Sequence, residues 1–129
     1  MDRKELRIGN LVSAIYGVIK IESIEQTSLS TLIDGCKMAL RSFSFSDIAP
    51  ISLTEEWLIN FGFEKANDLD MWFKIRLLND WSYLFVNPKH KMAEISISKH
   101  GCVLKFDGMV HSLQNLWFSM TGQELEPRS

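Results

Sequence analysis

The sequence has no apolar run that approaches the roughly 20 residues needed to cross a lipid bilayer. Its first ten residues, MDRKELRIGN, also lack the apolar segment of a secretory signal peptide. We therefore expect a cytoplasmic protein with no membrane role. Of its 129 residues, 46% are hydrophobic and 23% are charged, which is typical of a globular chain that can bury a core.

Cysteine is scarce. The two cysteines, Cys36 and Cys102, lie far apart in the sequence and form no C-x-x-C pair. Each falls in a stretch that is typical of a β-strand. We therefore expect reduced, buried thiols rather than a disulfide or a metal site.

Catalytic and metal-binding motifs are also missing. The chain has no glycine-rich phosphate loop, G-x-S-x-G or H-E-x-x-H, and its histidines, His90, His100 and His111, lack metal-ligand spacing. The spacing of Cys102, Asp107 and His111 would allow a nucleophile, an orienting carboxylate and a base, but Cys102 is predicted on the inward side of its strand. The sequence thus predicts a non-enzymatic protein without metal or cofactor.

Residues 1–50 are predicted to form a small all-β subdomain and residues 51–129 an α+β subdomain, the two making one cooperative unit. In the first part, NLVSAI leads through Tyr16–Gly17 into VIKIESIE, which is a hairpin pattern. LSTLI and CKMALRSF flank Asp34–Gly35, a favoured two-residue turn. Short strands without a helical segment favour a small antiparallel, β-barrel-like fold.

A short helix is predicted directly after Pro50, in ISLTEEWLINFGF. Ser52 and Glu55 have the spacing of a capping box, and Thr54 is an alternative N-cap. Gly62 can end the helix in the left-handed conformation.

Four strands should follow, in MWFKIRL, WSYLFV, AEISIS and CVLKF, because apolar and polar residues alternate in each. Such alternation predicts a four-stranded antiparallel sheet with one face in the core and one in water. The helices on either side of these strands would cover the apolar face, which makes the whole an α+β fold. The residues predicted to point inward from the last two strands are Ala93, Ile95, Ile97, Cys102, Leu104 and Phe106.

The second helix is predicted in VHSLQNLWFSMTGQEL. Successive residues of a helix lie about 100° apart, so five apolar side chains share one arc that should face the sheet: Val110, Leu113, Leu116, Trp117 and Met120. Gly122 should end the helix, and Leu125 should fold back on its last turn.

A second flank of this helix carries His111, Gln114 and Phe118, at positions i, i+3 and i+7. Packing of this flank on residues 1–50 is the favoured interpretation, because burial is the commonest reason for an aromatic residue beside a core tryptophan. The alternative is a binding surface, in which these three residues contact a partner protein or a second copy of the chain.

Three segments of the chain resemble a family of small proteins of unknown function from prophages and mobile elements of Bacteroides-type gut bacteria. They are LRIGNLV, the run from Pro50 to Glu64, and VHSLQNLWFSMTGQEL. The likeness is spread along the whole chain, and the last motif is its most specific part. Ser112 stands where an acidic residue is expected in the family. The resemblance implies a phage-related context and no mechanism. The residues that match the last motif are His111, Leu113, Gln114, Asn115, Leu116, Trp117, Phe118, Thr121, Gly122, Glu124 and Leu125.

These features favour an accessory factor that acts by binding another protein. Nucleic-acid binding is the alternative, through the barrel-like part or through the outer sheet face, where Trp72, Lys74, Arg76 and Lys105 could combine a stacking ring with positive charge. The charge balance argues against it. With 14 Lys and Arg against 16 Asp and Glu, the formal net charge is −2 and no basic stripe is evident.

Overall fold

The computed structural model describes residues 1, 3–15, 17–24, 28–32, 40–67, 71–77, 82–97 and 100–128. Within them the chain is an α+β protein of antiparallel sheets and two α-helices, α1 (Glu55–Asn60) and α2 (Val110–Thr121). Neither described helix is long and apolar enough to cross a membrane. Short 3-10 helices occupy Arg3–Glu5 and Phe45–Asp47. The strands are β1 (Leu11–Ala14), β2 (Gly17–Lys20), β3 (Ser23–Ile24), β4 (Ser28–Leu32), β5 (Leu40–Ser44), β6 (Glu64–Asn67), β7 (Trp72–Arg76), β8 (Ser82–Asn87), β9 (Met92–Ile97) and β10 (His100–Lys105).

The first 50 residues contain the predicted hairpin but no closed barrel among the residues that the structure describes. β1 and β2 pair antiparallel, and β3, β4 and β5 form a separate three-stranded sheet. A closed barrel needs a hydrogen-bonded ladder between its first and last strands, whereas among the described residues β1 meets the end of this half through an isolated bridge between Ser13 and Ala49. The antiparallel strands were thus predicted correctly, but the part of this half that the structure describes forms two small sheets rather than a closed barrel. Tyr16, the Asp34–Gly35 turn and Cys36 lie outside the described residues.

Helix α1 begins at the second of the two predicted caps. The hydroxyl of Thr54 accepts a hydrogen bond from the backbone N–H of Trp57 at 3.3 Å. Ser52 instead forms an isolated antiparallel bridge with Met109, and so it belongs to the extended chain before the cap. Gly62, with φ +99°, follows the last turn in the left-handed conformation, as predicted.

The second half contains a five-stranded antiparallel sheet in the order β10-β9-β8-β7-β6. Four of its strands match the predicted ones, and the fifth, β6, was not predicted. Its register places apolar residues in a continuous row, because Val86 lies opposite Phe73 on one side and Ala93 on the other. All three are buried. The alternation in the sequence thus marks the inner face of the sheet correctly.

The main core lies between this inner face and the two helices. The predicted arc of α2 packs there: Val110 and Leu113 are fully buried, and Leu116, Trp117 and Met120 are partly buried against the same cluster. Gly122 ends α2 with φ +72°. The buried members of the main core are Leu11, Leu53, Leu58, Phe61, Phe63, Phe73, Leu84, Val86, Ala93, Val110, Leu113 and Leu125. A second core, in the first half, contains Val12, Ile19, Ile21, Phe43 and Ile48.

The prediction of a buried thiol at Cys102 was wrong. Cys102 lies opposite Ile95, so it belongs to the alternate residues of the strand that the sequence predicted on the inner face of the sheet. However, β10 lies at the edge of the sheet, with β9 as its one partner among the described strands, and the side chain of Cys102 is exposed. A side chain on the inner face of a sheet is buried only where another element covers it. That cover is incomplete at this edge of the sheet.

Candidate functional site

The second flank of α2 lies against the N-terminal segment, but only part of it is buried. His111 and Gln114 are each 1% exposed, whereas Phe118 is 38% exposed. Phe118 does not enter the core, and the guanidinium carbon of Arg7 lies 4.1 Å from the centre of its ring. The structure therefore gives the three predicted binding residues different environments.

Gln114 connects α2 to three other places in the chain. Its Oε1 accepts a hydrogen bond from the backbone N–H of Leu11 at 2.8 Å. Its Nε2 donates to the backbone oxygens of Leu125 at 3.1 Å and Gly9 at 3.4 Å. These bonds occupy both polar atoms of a buried amide. Gln114 could contact a partner only if they were broken.

Asn115 forms a second set of links to the same segment. Its Oδ1 accepts hydrogen bonds from Nδ2 of Asn10 at 2.8 Å and Nε of Arg7 at 3.3 Å. Its Nδ2 donates to the backbone oxygen of Glu5 at 2.9 Å. Asn10 is fully buried, and its Oδ1 accepts from the backbone N–H of Arg7 at 2.7 Å. The segments LRIGN and LQN are therefore packing partners.

The end of the last sequence motif completes this contact. Glu124 forms a two-point ion pair with Arg7, whose Nη2 lies 3.2 Å from Oε2 of Glu124. Gly9 has φ +98°, and a Cβ atom placed there would lie 2.9 Å from Oε2 of Glu124. Glycine is thus suited to this position both by its backbone conformation and by the closeness of the carboxylate. LRIGN and the end motif of the sequence therefore have a structural role in this chain.

His111 differs from its neighbours because neither of its ring nitrogens has a hydrogen-bond partner among the described residues. One ring nitrogen lies near two carboxylates: single ligand atoms of Glu5, Asp107 and His111 all lie within 4.8 Å of one another. Burial lowers the pKa of His111 below 6.5, although the negative charges of Asp107 and Glu5 act in the opposite direction. Sequence reasoning paired His111 with Asp107 and missed Glu5, which no local spacing connects to them.

A cleft of about 250 Å³ lies between the N-terminal hairpin and the C-terminal segment. Its polar lining is already engaged, since Lys20 and Glu126 form an ion pair at 2.8 Å and Gln114 bonds to the backbone. Glu126 is also the main reason that the pKa of Lys20 is raised. The cleft therefore offers few free polar groups to a ligand. It is lined by Gly9, Leu11, Lys20, Gln114, Glu126 and Pro127.

The outer face of the five-stranded sheet carries a cluster of aromatic and cationic side chains. The rings of Tyr83 and Phe85 lie 6.1 Å apart. Nζ of Lys74 lies 5.6 Å and the guanidinium carbon of Arg76 lies 5.9 Å from the centre of the Tyr83 ring. Trp72 is at the start of the same strand as the two cations. We call these five residues the outer-face cluster, and its three aromatic rings are half-buried.

The structure separates the fourth predicted nucleic-acid residue from the other three. Lys105 is on β10, three strands from β7, which corresponds to about 14 Å at the usual strand spacing. Carboxylates share the face: Glu64 lies opposite Lys74, and Glu94 lies opposite Phe85. The described part of this face thus has cations at two places with acidic residues between and beside them, and it has no basic stripe.

No protein-family model, curated protein or solved structure matches the chain.

Proposed function

We propose that this chain is a non-enzymatic accessory protein that acts by binding another protein, and that it binds through the outer-face cluster. The observation that carries the proposal is the pair of neighbouring rings, Tyr83 and Phe85, on a face of the sheet that points away from the core. Among the described residues, neither core cluster includes either ring or Trp72. Aromatic residues with an adjacent arginine are the commonest anchors of protein interfaces.

The internal bonds of the α2 flank support this choice of surface. The sequence suggested His111, Gln114 and Phe118 as docking residues, but two of them are buried and Gln114 holds the backbone of the N-terminal segment. A partner at that flank would have to displace part of the chain itself. The outer-face cluster needs no such rearrangement.

The charges on the face suggest the chemistry of the partner. Lys74 and Arg76 lie 5.6 Å and 5.9 Å from the centre of the Tyr83 ring, so a protein surface that presents carboxylates beside apolar side chains would complement them. Glu64 and Glu94 would repel a continuous phosphate backbone and could pair with basic residues of a protein partner. These carboxylates favour protein over nucleic acid. The cytoplasmic location expected from the sequence and the phage-related context belong to the same proposal. The phage-related context is supported by the resemblance of residues 6–12, 50–64 and 110–125.

The test compares capture by the full-length wild-type protein with capture by two variants. Tyr83→Ala/Phe85→Ala removes both rings, and Ile59→Ser is the control because Ile59 is an exposed apolar residue on α1. We expect one protein from the source cells to bind wild type and the control, and to bind the double variant at least about 30-fold more weakly once purified, as for the loss of an interface anchor. Equal affinity of the purified partner for all three proteins would contradict the proposal. Sedimentation of wild type alone would show whether that partner is a second copy.

Single-stranded nucleic acid is the second candidate, because cations beside a half-buried ring are the elements of a stacking site. Labelled single-stranded DNA should show no binding that weakens with added salt. Salt-sensitive binding that Lys74→Glu/Arg76→Glu abolishes would favour nucleic acid over protein as the ligand, since release of counterions drives such binding.

A further inference from the structure

Three potential metal ligands from distant parts of the sequence meet at the start of α2. Glu5 ends the first 3-10 helix, Asp107 lies between β10 and α2, and His111 is in the first turn of α2. One ligand atom of each, a carboxylate oxygen or a ring nitrogen, lies within 4.8 Å of the others. Glu5 and Asp107 are exposed, whereas His111 is buried, so the cluster opens to solvent on its acidic side.

The imidazole of His111 is buried, and its nitrogens are available to a ligand. It is 1% exposed, yet both of its nitrogens lack a hydrogen-bond partner among the described residues. A buried polar atom without a partner costs roughly 1–3 kcal/mol, and most buried polar groups avoid this cost by pairing. A cation bound to one ring nitrogen would supply that pairing.

Other groups hold the carboxylate of Asp107 and the main chain at Glu5. Asp107 accepts hydrogen bonds from the hydroxyl of Ser112 at 2.8 Å and from the backbone N–H of Met109 at 3.1 Å. The backbone oxygen of Glu5 accepts from Nδ2 of Asn115 at 2.9 Å. Outer partners of this kind hold the ligands of established metal sites in place.

We propose that Glu5, Asp107 and His111 form a binding site for a divalent first-row transition-metal cation, with Zn²⁺ as the best fit. One imidazole nitrogen and two carboxylate oxygens match the ligands that zinc takes, and water would complete a tetrahedron. Magnesium and calcium prefer sites made of oxygen alone. Ligands of one zinc ion lie roughly 3.3–3.6 Å apart in a tetrahedron, given metal–ligand bonds of about 2.0–2.2 Å. A shift of about an ångström in the exposed carboxylates would be sufficient.

The bound cation would have a structural effect. It would join the N-terminal segment to the start of α2, beside the links that Asn115 already makes. Because the ligands meet only in the folded chain, binding would raise the stability of the native state.

The test is a titration of the chelator-treated full-length protein with zinc chloride, followed by calorimetry and by the melting temperature. We expect one equivalent of Zn²⁺ to bind and raise the melting temperature, and Mg²⁺ to have no effect. Glu5→Gln and Asp107→Asn should each weaken Zn²⁺ binding by at least about tenfold, since even the loss of an outer partner of a metal ligand usually costs about 10–100-fold in affinity. Both residues are exposed, so these variants should fold even if His111→Gln does not.

Two control variants test whether other exposed side chains bind the metal ion instead. His90→Gln removes an exposed imidazole, and Cys102→Ser removes an exposed thiol. Both variants should retain the wild-type affinity. A change in the ring-nitrogen NMR signals of His111 on addition of Zn²⁺ would report direct coordination. Absence of one-to-one binding, wild-type affinity in Glu5→Gln/Asp107→Asn, or loss of binding in either control would overturn the proposal.

Discussion

Oε1 of Gln114 accepts a hydrogen bond from the backbone N–H of Leu11 at 2.8 Å, across 103 positions of the sequence. Leu11 belongs to β1 of the first half, yet its side chain is part of the core of the second half. One residue pair thus combines a buried hydrogen bond with apolar packing between the two halves. A binding role for Gln114 would compete with both.

Gln114→Ala should destabilise the protein strongly. The substitution leaves the N–H of Leu11 and two backbone oxygens without their partner, and each buried group left unpaired costs about 1–3 kcal/mol. We expect urea denaturation to show a loss of at least about 2 kcal/mol in the free energy of unfolding. Gln123→Ala is the matched control because Gln123 is exposed, and its effect should stay within about 0.5 kcal/mol. Equal midpoints for the two variants would contradict the structural role of Gln114.

Gly9→Ala should cost more stability than Gly122→Ala. Both glycines have positive φ, +98° and +72°, so alanine pays a similar backbone penalty of about 1–2 kcal/mol at each. Only the Cβ at position 9 meets a neighbour, because it would lie 2.9 Å from the carboxylate that pairs with Arg7, and nothing lies within 4 Å at position 122. Thermal melts of the two variants test this order. The reverse order would show that the contact between Gly9 and Glu124 is not close in solution.

Arg7 and Phe118 should be energetically coupled. The guanidinium carbon of Arg7 lies 4.1 Å from the centre of the Phe118 ring, and such pairs contribute about 0.5–1 kcal/mol at exposed sites. A double-mutant cycle with Arg7→Met and Phe118→Leu should give a coupling energy of that size. Methionine keeps an unbranched apolar stem without the cation, and leucine keeps much of the apolar surface, so the cycle reports the contact between cation and ring. The loss of the ion pair with Glu124 is common to both arms of the cycle and cancels. Strict additivity would mean that the two side chains do not interact.

Trp117→Ala should destabilise far more than Phe118→Ala, although the residues are adjacent. Trp117 packs against the main core, whereas Phe118 is 38% exposed and belongs to neither core cluster. Truncation of a core tryptophan costs about 3–5 kcal/mol, and the partial burial of Trp117 points to the lower end. We expect about 1 kcal/mol for Phe118→Ala from the loss of its contact with Arg7. Similar losses in denaturant unfolding would mean that the helix presents a different face.

The features that the sequence predicted correctly are those with a local cause. Gly62 and Gly122 end their helices because glycine adopts positive φ readily, and periodicity placed Trp117 on the core side of α2. Strand β6, with the sequence EKAN, was missed because it is short and polar and its partner β7 lies on one side only. Alternation cannot identify an edge strand of this kind.

The candidate sites were harder to predict because they depend on contacts between distant residues. The partners of Gln114 lie up to 105 positions away, and no local pattern shows that its amide bonds to the backbone of the N-terminal segment. Cys102 occupies an inner-face position but lies in an edge strand, so the alternation in the sequence did not predict its exposure. Lys105 and Lys74 both occupy outer-face positions, but the order of the strands in the sheet places them far apart.

The most direct test of this account is hydrogen exchange at single backbone amides of the wild-type protein and of Gln114→Ala. The central claim is that the N-terminal hairpin and the second half form one cooperative unit through Gln114, which leaves the outer sheet face to bind partners. In wild type, the amide of Ser13, which bonds to Ala49 at 2.9 Å, should open with the same free energy as the amides of Leu84 and Val86. In Gln114→Ala, all three should lose protection together, because their common opening is global unfolding. Wild-type exchange at Ser13 that is much faster than at Leu84, with Leu84 unaffected by the substitution, would contradict the claim and separate the two halves.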